Sequence, residues 1–241
     1  MLILGIDMET TGLHVATIGV TEVGLVLWDT GLRAPVKVYG FLVDPGPVVW
    51  EEGVEKVNGL TPQVCALHGM EDERAFRMVL SWYDGADVAC AHNGAAFDRL
   101  VLEAWAARLG RSEDFDRGKV WIDTMTDIET PERRSTRLTY MAADHGFLNP
   151  FPHRAALDVL TMLKVLDAHD LAAVMEMAKS PTVRVKALVT FDQKDLAKER
   201  GYHAVYEDGR FRHWEMSLKQ IRLDAEREAA RGAGFEIAVL P

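Results

Sequence analysis

The sequence predicts an α/β domain followed by a small α+β module, and three features of its pattern support this assignment. Three β-rich runs follow one another near the start, amphipathic helical segments then alternate with short apolar runs, and a second β-rich region begins after Ser180-Pro181. The chain has 241 residues, 48% of them hydrophobic, which argues against disorder. A domain of about 180 residues buries roughly 70% of the surface that its unfolded chain exposes, so the first region can fold around its own core.

The first three strands are predicted over residues 2–6, 16–28 and 36–43. The first is a short apolar run that stops at acidic residues, which is typical of a buried strand that ends at a functional edge. The second is rich in β-branched residues, and the third closes at Asp44-Pro45-Gly46-Pro47. Three consecutive strands with turns between them favour a meander.

Helices and strands alternate in the rest of the first domain, which we assign to residues 1–179. Apolar residues recur at helical spacing and end at glycines such as Gly110 and Gly146, which suit the position after a helix. The helices are predicted over residues 71–83, 95–110, 138–146 and 154–168, with a weaker one before Ser180, and strands over 87–91 and 119–122.

Residues 180–241 are predicted to form a separate α+β module of unknown role. Strands are expected over 183–191, 211–214 and 235–240, and helices over 192–200 and 218–231. Asp192 followed by Asp195 resembles a helix-capping arrangement, and Gly201 ends the short helix.

The charge is unevenly distributed along the chain. The formal net charge is −10, but residues 180–241 carry 11 basic and 10 acidic residues, so all the excess acid lies before them. This balance disfavours a nucleic-acid clamp that works by counterion release, unless carboxylates hold divalent cations that reverse the local sign. Cys65 and Cys90 have no metal-binding spacing, and the apolar run 1–6 is too short to span a membrane. We therefore expect a soluble, cytoplasmic protein without a membrane partner.

Two carboxylates mark the end of the first predicted strand. Asp7 and Glu9 lie two residues apart, so strand alternation points both side chains to one face. Like charges side by side are unfavourable unless a cation intervenes, which makes the pair a reasonable ligand set for a hard cation. On its own, however, an acidic pair of this spacing is common on solvated edges.

Two further acidic motifs accompany helices. Asp98 is expected in the first turn of a helix, where the helix dipole alone would favour a carboxylate. Asp158 is expected on the last long helix of the domain, with His153 just before it or in its first turn. Asp158 could then face the sheet while His153 reaches over a bound water. Each motif alone is close to chance, but a mixed α/β sheet could bring all of them together.

In combination, these motifs resemble the DEDDh family of 3′–5′ exonucleases. The resemblance spans about residues 1–170 and is carried by Asp7-Met8-Glu9-Thr10-Thr11-Gly12-Leu13, His92-Asn93-Gly94-Ala95-Ala96-Phe97-Asp98 and His153-Arg154-Ala155-Ala156-Leu157-Asp158. Trp121-Ile122-Asp123-Thr124 is similar to the DnaQ-like branch, which includes exonuclease X and the polymerase III ε-subunit. The resemblance implies a ribonuclease H-like fold, a mixed sheet of about five strands flanked by helices.

The resemblance also implies a ligand set and a catalytic base. Two Mg²⁺ or Mn²⁺ ions would stabilise the attacking and leaving oxygens of an in-line displacement. Asp7 would bridge the ions, Glu9 and Asp158 would complete one site, and Asp98 would belong to the other, through water. His153 would take the proton from the attacking water. The products would be nucleoside 5′-monophosphates.

Substrate contacts follow from the same resemblance. Phe97 would stack on a nucleotide near the scissile bond or pack in the core, and Asn93 would orient the substrate backbone or, as we prefer, cap the helix that begins nearby. In the family segment that lines the terminal-base pocket, His often stands where this chain has Asn58. The expected substrate-binding residues are Thr10, Thr11, Leu13, Leu60, Asn93 and Phe97.

The predicted function is therefore a two-metal-ion 3′–5′ exonuclease that acts on nucleic-acid 3′ ends, with single-stranded or frayed DNA favoured over RNA. An exoribonuclease that trims short RNA is the first alternative, and a catalytically silent nucleic-acid-binding or recruitment protein is the second. A homodimer, or a replication or DNA-repair partner, stays open.

The terminal module has two interpretations. It interleaves basic and aromatic residues as single-strand binders do, or it is a solvated face over a small core. The residues concerned are Lys194, Lys198, Arg200, Arg210 and Arg212 with Tyr202, Phe211 and Trp214.

Overall fold

The computed structural model describes residues 1–115, 118–129 and 135–240. The chain divides into two compact units, Met1–Ala178 and Lys179–Pro241. None of the helices in these described stretches is both long and apolar enough to span a bilayer.

The first unit is built on a mixed six-stranded sheet. The strands are β1 Leu2–Thr10, β2 Val20–Asp29, β3 Ala34–Asp44, β4 Met70–Glu71, β5 Val88–Ala91 and β6 Trp121–Asp123. Their order is β4-β3-β2-β1-β5-β6. The predicted meander is confirmed, because β1, β2 and β3 pair antiparallel, while β5 pairs parallel to β1 and β6 parallel to β5. The predicted mixed sheet is also confirmed. The sequence pattern did not reveal the two-residue strand β4.

Strand β1 continues well beyond its predicted end at Ile6. Asp7, Met8 and Glu9 stay in register with β2, with Glu9 directly opposite Glu22, and the register shifts only between Glu9 and Thr10. The prediction that the strand stops at the first acidic residue is therefore wrong. Pairing with β2 outweighs the local break in hydrophobicity, and the two carboxylates stand on a rigid strand.

Seven helices accompany this sheet in the described part of the chain. Helices α3 to α6 confirm the four predicted with helical spacing, and α7 confirms the weaker one. The short helices α1 and α2 were not predicted, although Pro62 and the Thr61 side chain, which accepts the Val64 N–H, form a recognisable start for α2. The bounds are α1 Val54–Asn58, α2 Pro62–His68, α3 Asp72–Asp84, α4 Asp98–Arg108, α5 Leu138–Asp144, α6 Ala155–Leu166 and α7 Leu171–Lys179.

Two apolar clusters cover the two faces of the sheet. Alternate residues of β1 point to opposite faces, so Leu4 and Ile6 belong to a cluster with Phe76 of α3, whereas Ile3 packs in a cluster with Met162 of α6. Asp7 and Glu9 share the parity of Ile3. They therefore face the side of the sheet that α6 covers.

The second unit has a ferredoxin-like βαββαβ order. Its elements are β7 Thr182–Leu188, α8 Lys194–Glu199, β8 His203–Glu207, β9 Arg210–Lys219, α9 Leu223–Gly232 and β10 Glu236–Val239, with the antiparallel strand order β10-β7-β9-β8. Strand β8 was not predicted. The expected capping by Asp192 and Asp195 is wrong, because the reciprocal capping bonds join Thr190 and Gln193.

Candidate active site

Three carboxylates meet where β1 faces the start of α6. Asp7, Glu9 and Asp158 each offer an oxygen, and these oxygens all lie within 4.8 Å of one another. Among the described residues, this is the group of His, Cys, Asp or Glu side chains whose ligand atoms lie close enough together to hold a metal ion. The structure thus brings three of the four predicted ligands together, and Asp98 is not part of this group.

Glycines in the sheet allow α6 to come this close. Gly24 pairs with Asp7 across the β1–β2 ladder. A Cβ atom on Gly24 would lie 2.2 Å from the backbone carbon of Ala155, and one on Gly5 would lie 2.4 Å from the Val159 Cγ1 atom. A larger residue at Gly24 would push back the first turn of α6 and, with it, Asp158.

Asp98 is the most deeply buried member of the predicted set. It is the first residue of α4, is 3% exposed, and its Oδ1 atom has no hydrogen-bond partner. Burial raises the pKa of Asp98 to about 7, although hydrogen bonds from its own backbone N–H and that of Met8 oppose the rise. Its negative charge in turn raises the pKa of Asp7.

The turn before α4 is held by another buried carboxylate. Asn93 adopts the left-handed conformation with φ 66°. Its backbone N–H donates to Asp123 Oδ1 at 2.8 Å, and the Ala95 N–H donates to Asp123 Oδ2 at 3.2 Å. Asp123 of β6 therefore shapes the segment that delivers Asp98. The preference for Asn93 as a helix cap is wrong, because α4 begins only at Asp98 with Phe97 in the cap position.

The carboxyl groups of the cluster raise one another's pKa. The pKa of Asp7 lies well above its ordinary value, first because of burial and then because of the charges of Asp98, Asp158 and Glu9. Burial also raises the pKa of Glu9 and of Asp158, and the charge of His153 opposes both shifts. The arrangement is unfavourable for four anions alone and well suited to a bound cation.

His153 lies two residues before the start of α6 and adopts the left-handed conformation, with φ 62°. Its side chain is exposed, and its charge acts on Glu9 and Asp158. A neighbour that the sequence motifs did not reveal is Asn149, whose Nδ2 atom donates to Asp158 Oδ1 at 2.7 Å. No local pattern marks Asn149, since it lies nine residues before its partner in an irregular segment.

The loop after β1 is tied down by its own hydroxyl groups. Thr10 Oγ1 donates to the Gly12 carbonyl at 2.6 Å, and Thr11 Oγ1 accepts the Gly19 N–H at 3.0 Å. Leu13, by contrast, is 76% exposed. Glu51, which the sequence did not single out, receives the His14 N–H at 3.1 Å and donates its own N–H to the Thr11 carbonyl.

The remaining residues that were predicted to contact substrate differ in how far they are exposed to solvent. Leu60 is buried, and Phe97 is half-buried against the apolar cluster of α3 and α4. In the second unit, Tyr202 is buried and Arg200 is ion-paired with Glu226, so neither belongs to an exposed binding face. Phe211 stays half exposed.

A family model described as "Exonuclease" matches residues 4–166. The chain belongs to this exonuclease family. The resemblance to DEDDh 3′–5′ exonucleases is thereby confirmed, while the placement in the DnaQ-like branch stays a prediction. No curated protein matches this family member at a significant level.

Solved structures of E. coli Exonuclease I share the fold of this exonuclease-family chain. The complex with a dA16 oligonucleotide has a TM-score of 0.67 at 15% identity, over 98% of this chain and 68% of that chain. The complex with a dT13 oligonucleotide has a TM-score of 0.61 at 16% identity, over 77% and 48%. The zinc-bound complex with single-stranded DNA has a TM-score of 0.62 at 18% identity, over 73% and 42%. The chain thus spans about half the length of the first Exonuclease I chains that it matches, and the predicted ribonuclease H-like fold is confirmed.

Proposed function

We propose that this chain is a metal-dependent 3′–5′ exonuclease that removes nucleoside 5′-monophosphates from the 3′ ends of single-stranded or frayed DNA. The observation that carries the proposal is the cluster of Asp7, Glu9 and Asp158, with ligand oxygens within 4.8 Å of one another. The buried carboxyl group of Asp98 adds a fourth acid that acts electrostatically on Asp7. Membership of the exonuclease family supports this assignment.

The residues of the cluster fit hard divalent cations. All four carboxyl groups have raised pKa values, and Asp98 Oδ1 is buried without a hydrogen-bond partner. Oxygen ligands of this kind suit Mg²⁺ or Mn²⁺. Asp7, Glu9 and Asp158 would hold one such ion, and Asp98 together with Asp7 would hold a second. Bound ions of this type stabilise the attacking and leaving oxygens of an in-line displacement at phosphorus.

The surrounding side chains orient these groups and handle the proton. Asn149 donates to Asp158 and restricts its carboxylate, and the Asn58 side chain hydrogen-bonds Glu9 in the same way. His153, exposed beside the cluster, takes the proton of the attacking water at an imidazole nitrogen, since histidine exchanges protons near neutral pH.

DNA is the favoured substrate because the structural relatives are E. coli Exonuclease I complexes with deoxyoligonucleotides. An exoribonuclease is the alternative within the same chemistry. A catalytically silent binding protein is disfavoured, because a chain that no longer hydrolyses phosphodiesters has no need to keep Asp7, Glu9, Asp98, His153 and Asp158 together. A homodimer or a replication or repair partner stays a prediction.

A gel time course with a 5′-labelled single-stranded DNA oligonucleotide tests the proposal. We expect a ladder that shortens from the 3′ end in Mg²⁺ or Mn²⁺, stops in EDTA, and is absent for Asp7→Ala. Glu113→Ala is the matched control, because it removes an exposed carboxylate outside the cluster and should leave the ladder unchanged.

The matched RNA oligonucleotide separates the alternatives. Faster shortening of RNA than of DNA would replace the DNA assignment with the exoribonuclease. If the wild-type protein binds the DNA or the RNA oligonucleotide without shortening it, the result would favour the catalytically silent binding protein.

A further inference from the structure

We propose that Arg154 is a positioning residue that, together with Glu22, sets the geometry of the metal ligand Glu9 and of the start of α6. The inference rests on the proposed function, and we refer to Glu22 and Arg154 together as the Glu22–Arg154 clamp. Arg154 occupies the N-cap position of α6, between His153 and the turn that carries Asp158. Its Nη1 atom lies 2.6 Å from Glu22 Oε2, and its Nη2 atom donates to the backbone carbonyl of Asn58.

Glu22 presents a like charge directly across from Glu9. The two residues are paired in the β1–β2 ladder, and Glu22 is 8% exposed. Like charges in this position destabilise a sheet. The guanidinium of Arg154 balances the Glu22 carboxylate, which also accepts the backbone N–H of Ala155 at the start of α6. The clamp thus partners Glu22 with the start of α6 and leaves Glu9 to the metal site.

Asn58 extends the clamp to Glu9 itself. This residue is 3% exposed, its Oδ1 atom accepts the Leu60 N–H at 3.0 Å, and its side chain hydrogen-bonds the Glu9 carboxylate. With the Oδ1 atom committed to Leu60, the amide N–H groups are left to donate to Glu9. The bond from Arg154 to the Asn58 carbonyl fixes the backbone from which that amide projects.

One guanidinium therefore connects three elements of the site. It joins the sheet through Glu22, the end of α1 through Asn58, and α6 through its own backbone. The two acceptors belong to different elements, and an arginine fork can reach both at once, whereas a lysine ammonium is a single point charge.

Mn²⁺ titration of the full chain by calorimetry, without DNA, tests the clamp. Loss of an outer hydrogen-bond partner of a metal ligand typically costs 10–100-fold in metal affinity or activity. We expect Arg154→Gln to weaken Mn²⁺ binding by about 10-fold or more and Arg154→Lys to weaken it less. Glu22→Gln should cost less than Arg154→Gln, because it removes the like charge while keeping an acceptor oxygen. The double variant should fall short of the sum of the two single effects.

Arg33→Gln is the matched control. Arg33 makes the same kinds of bond, to the carboxylate of Asp167 at 3.1 Å and to its backbone carbonyl at 2.9 Å, and its loss should leave Mn²⁺ affinity unchanged. A folded Arg154→Gln variant with wild-type affinity would overturn the clamp. If the Arg154→Gln variant does not melt cooperatively, the Mn²⁺ affinity of Arg154→Lys is the test instead. Wild-type Mn²⁺ affinity in Arg154→Lys would likewise overturn the clamp. Wild-type protein that binds Mn²⁺ but leaves DNA intact would refute the proposed function alone.

Discussion

The two units of this chain bury carboxylates in opposite ways. In the second unit, Glu226 accepts from Arg200 at 2.5 Å and from the Tyr202 hydroxyl at 2.9 Å, so its charge is fully partnered. In the first unit, burial raises the pKa of both Asp7 and Asp98, the charge of Asp98 raises the pKa of Asp7 further, and one oxygen of Asp98 has no partner at all. Paired carboxylates serve the fold, whereas an unpaired cluster is a cost to the fold that a bound cation can offset.

His153 lies beside the carboxylate cluster, where it could act on the attacking water or on the ligands Glu9 and Asp158. If it serves as a base rather than as the electrostatic partner of Glu9 and Asp158, His153→Ala should slow oligonucleotide hydrolysis by about 10²–10⁴-fold. Mn²⁺ affinity, measured by calorimetry, should stay close to that of the wild type. A variant that binds Mn²⁺ poorly would instead show that His153 supports the ligands.

The candidate site could be predicted from the sequence because its chemistry is local to each motif. Asp7, Glu9, Asp98, His153 and Asp158 each stand in a short pattern near the end of a strand or the start of a helix, and a mixed sheet lets Asp7, Glu9 and Asp158 meet. The supports of the site are different. Arg154 and Glu22 are 132 residues apart, and a pair at that separation leaves no periodicity or spacing in the sequence.

The same limit applies to the fold. The end of β1 could not be placed from hydrophobicity, because pairing with β2 carries Asp7 and Glu9 into the ladder. In the second unit, Arg200 and Tyr202 fit a pattern of alternating basic and aromatic residues, yet Glu226 on a later helix draws both towards the interior. Composition indicates the types of residue on a module but not which of them face water.

Opposite stability effects of two substitutions would sharpen the comparison. Glu226→Ala should lower the free energy of unfolding by about 2 kcal/mol, because the buried Tyr202 hydroxyl and Arg200 lose their acceptor. Asp7→Ala should leave the melting temperature of the metal-free protein unchanged or raise it, since it relieves repulsion within the cluster. Thermal melting in EDTA measures both. Glu228→Ala, an exposed carboxylate on the same helix as Glu226, is the control, and equal destabilisation by Asp7→Ala and Glu226→Ala would remove the distinction.

The pH dependence of stability provides the finest test of the unpaired cluster. Burial raises the pKa of Asp98 from its ordinary 3.8 to about 7, so the folded state holds a proton that the unfolded chain has released. Its contribution to the stability of the metal-free protein is therefore complete below pH 3.8 and is lost as the pH rises towards 7. Asp98→Asn should flatten this decline, by at most about 1.4 kcal/mol per pH unit, the value for one proton. Urea unfolding in EDTA across that range measures the slope, and saturating Mg²⁺ should abolish it, because a bound cation keeps the Asp98 carboxylate ionised as it is in the unfolded chain. An equal slope in wild type and Asp98→Asn would mean that Asp98 is already ionised in the metal-free fold and is as well compensated as Glu226.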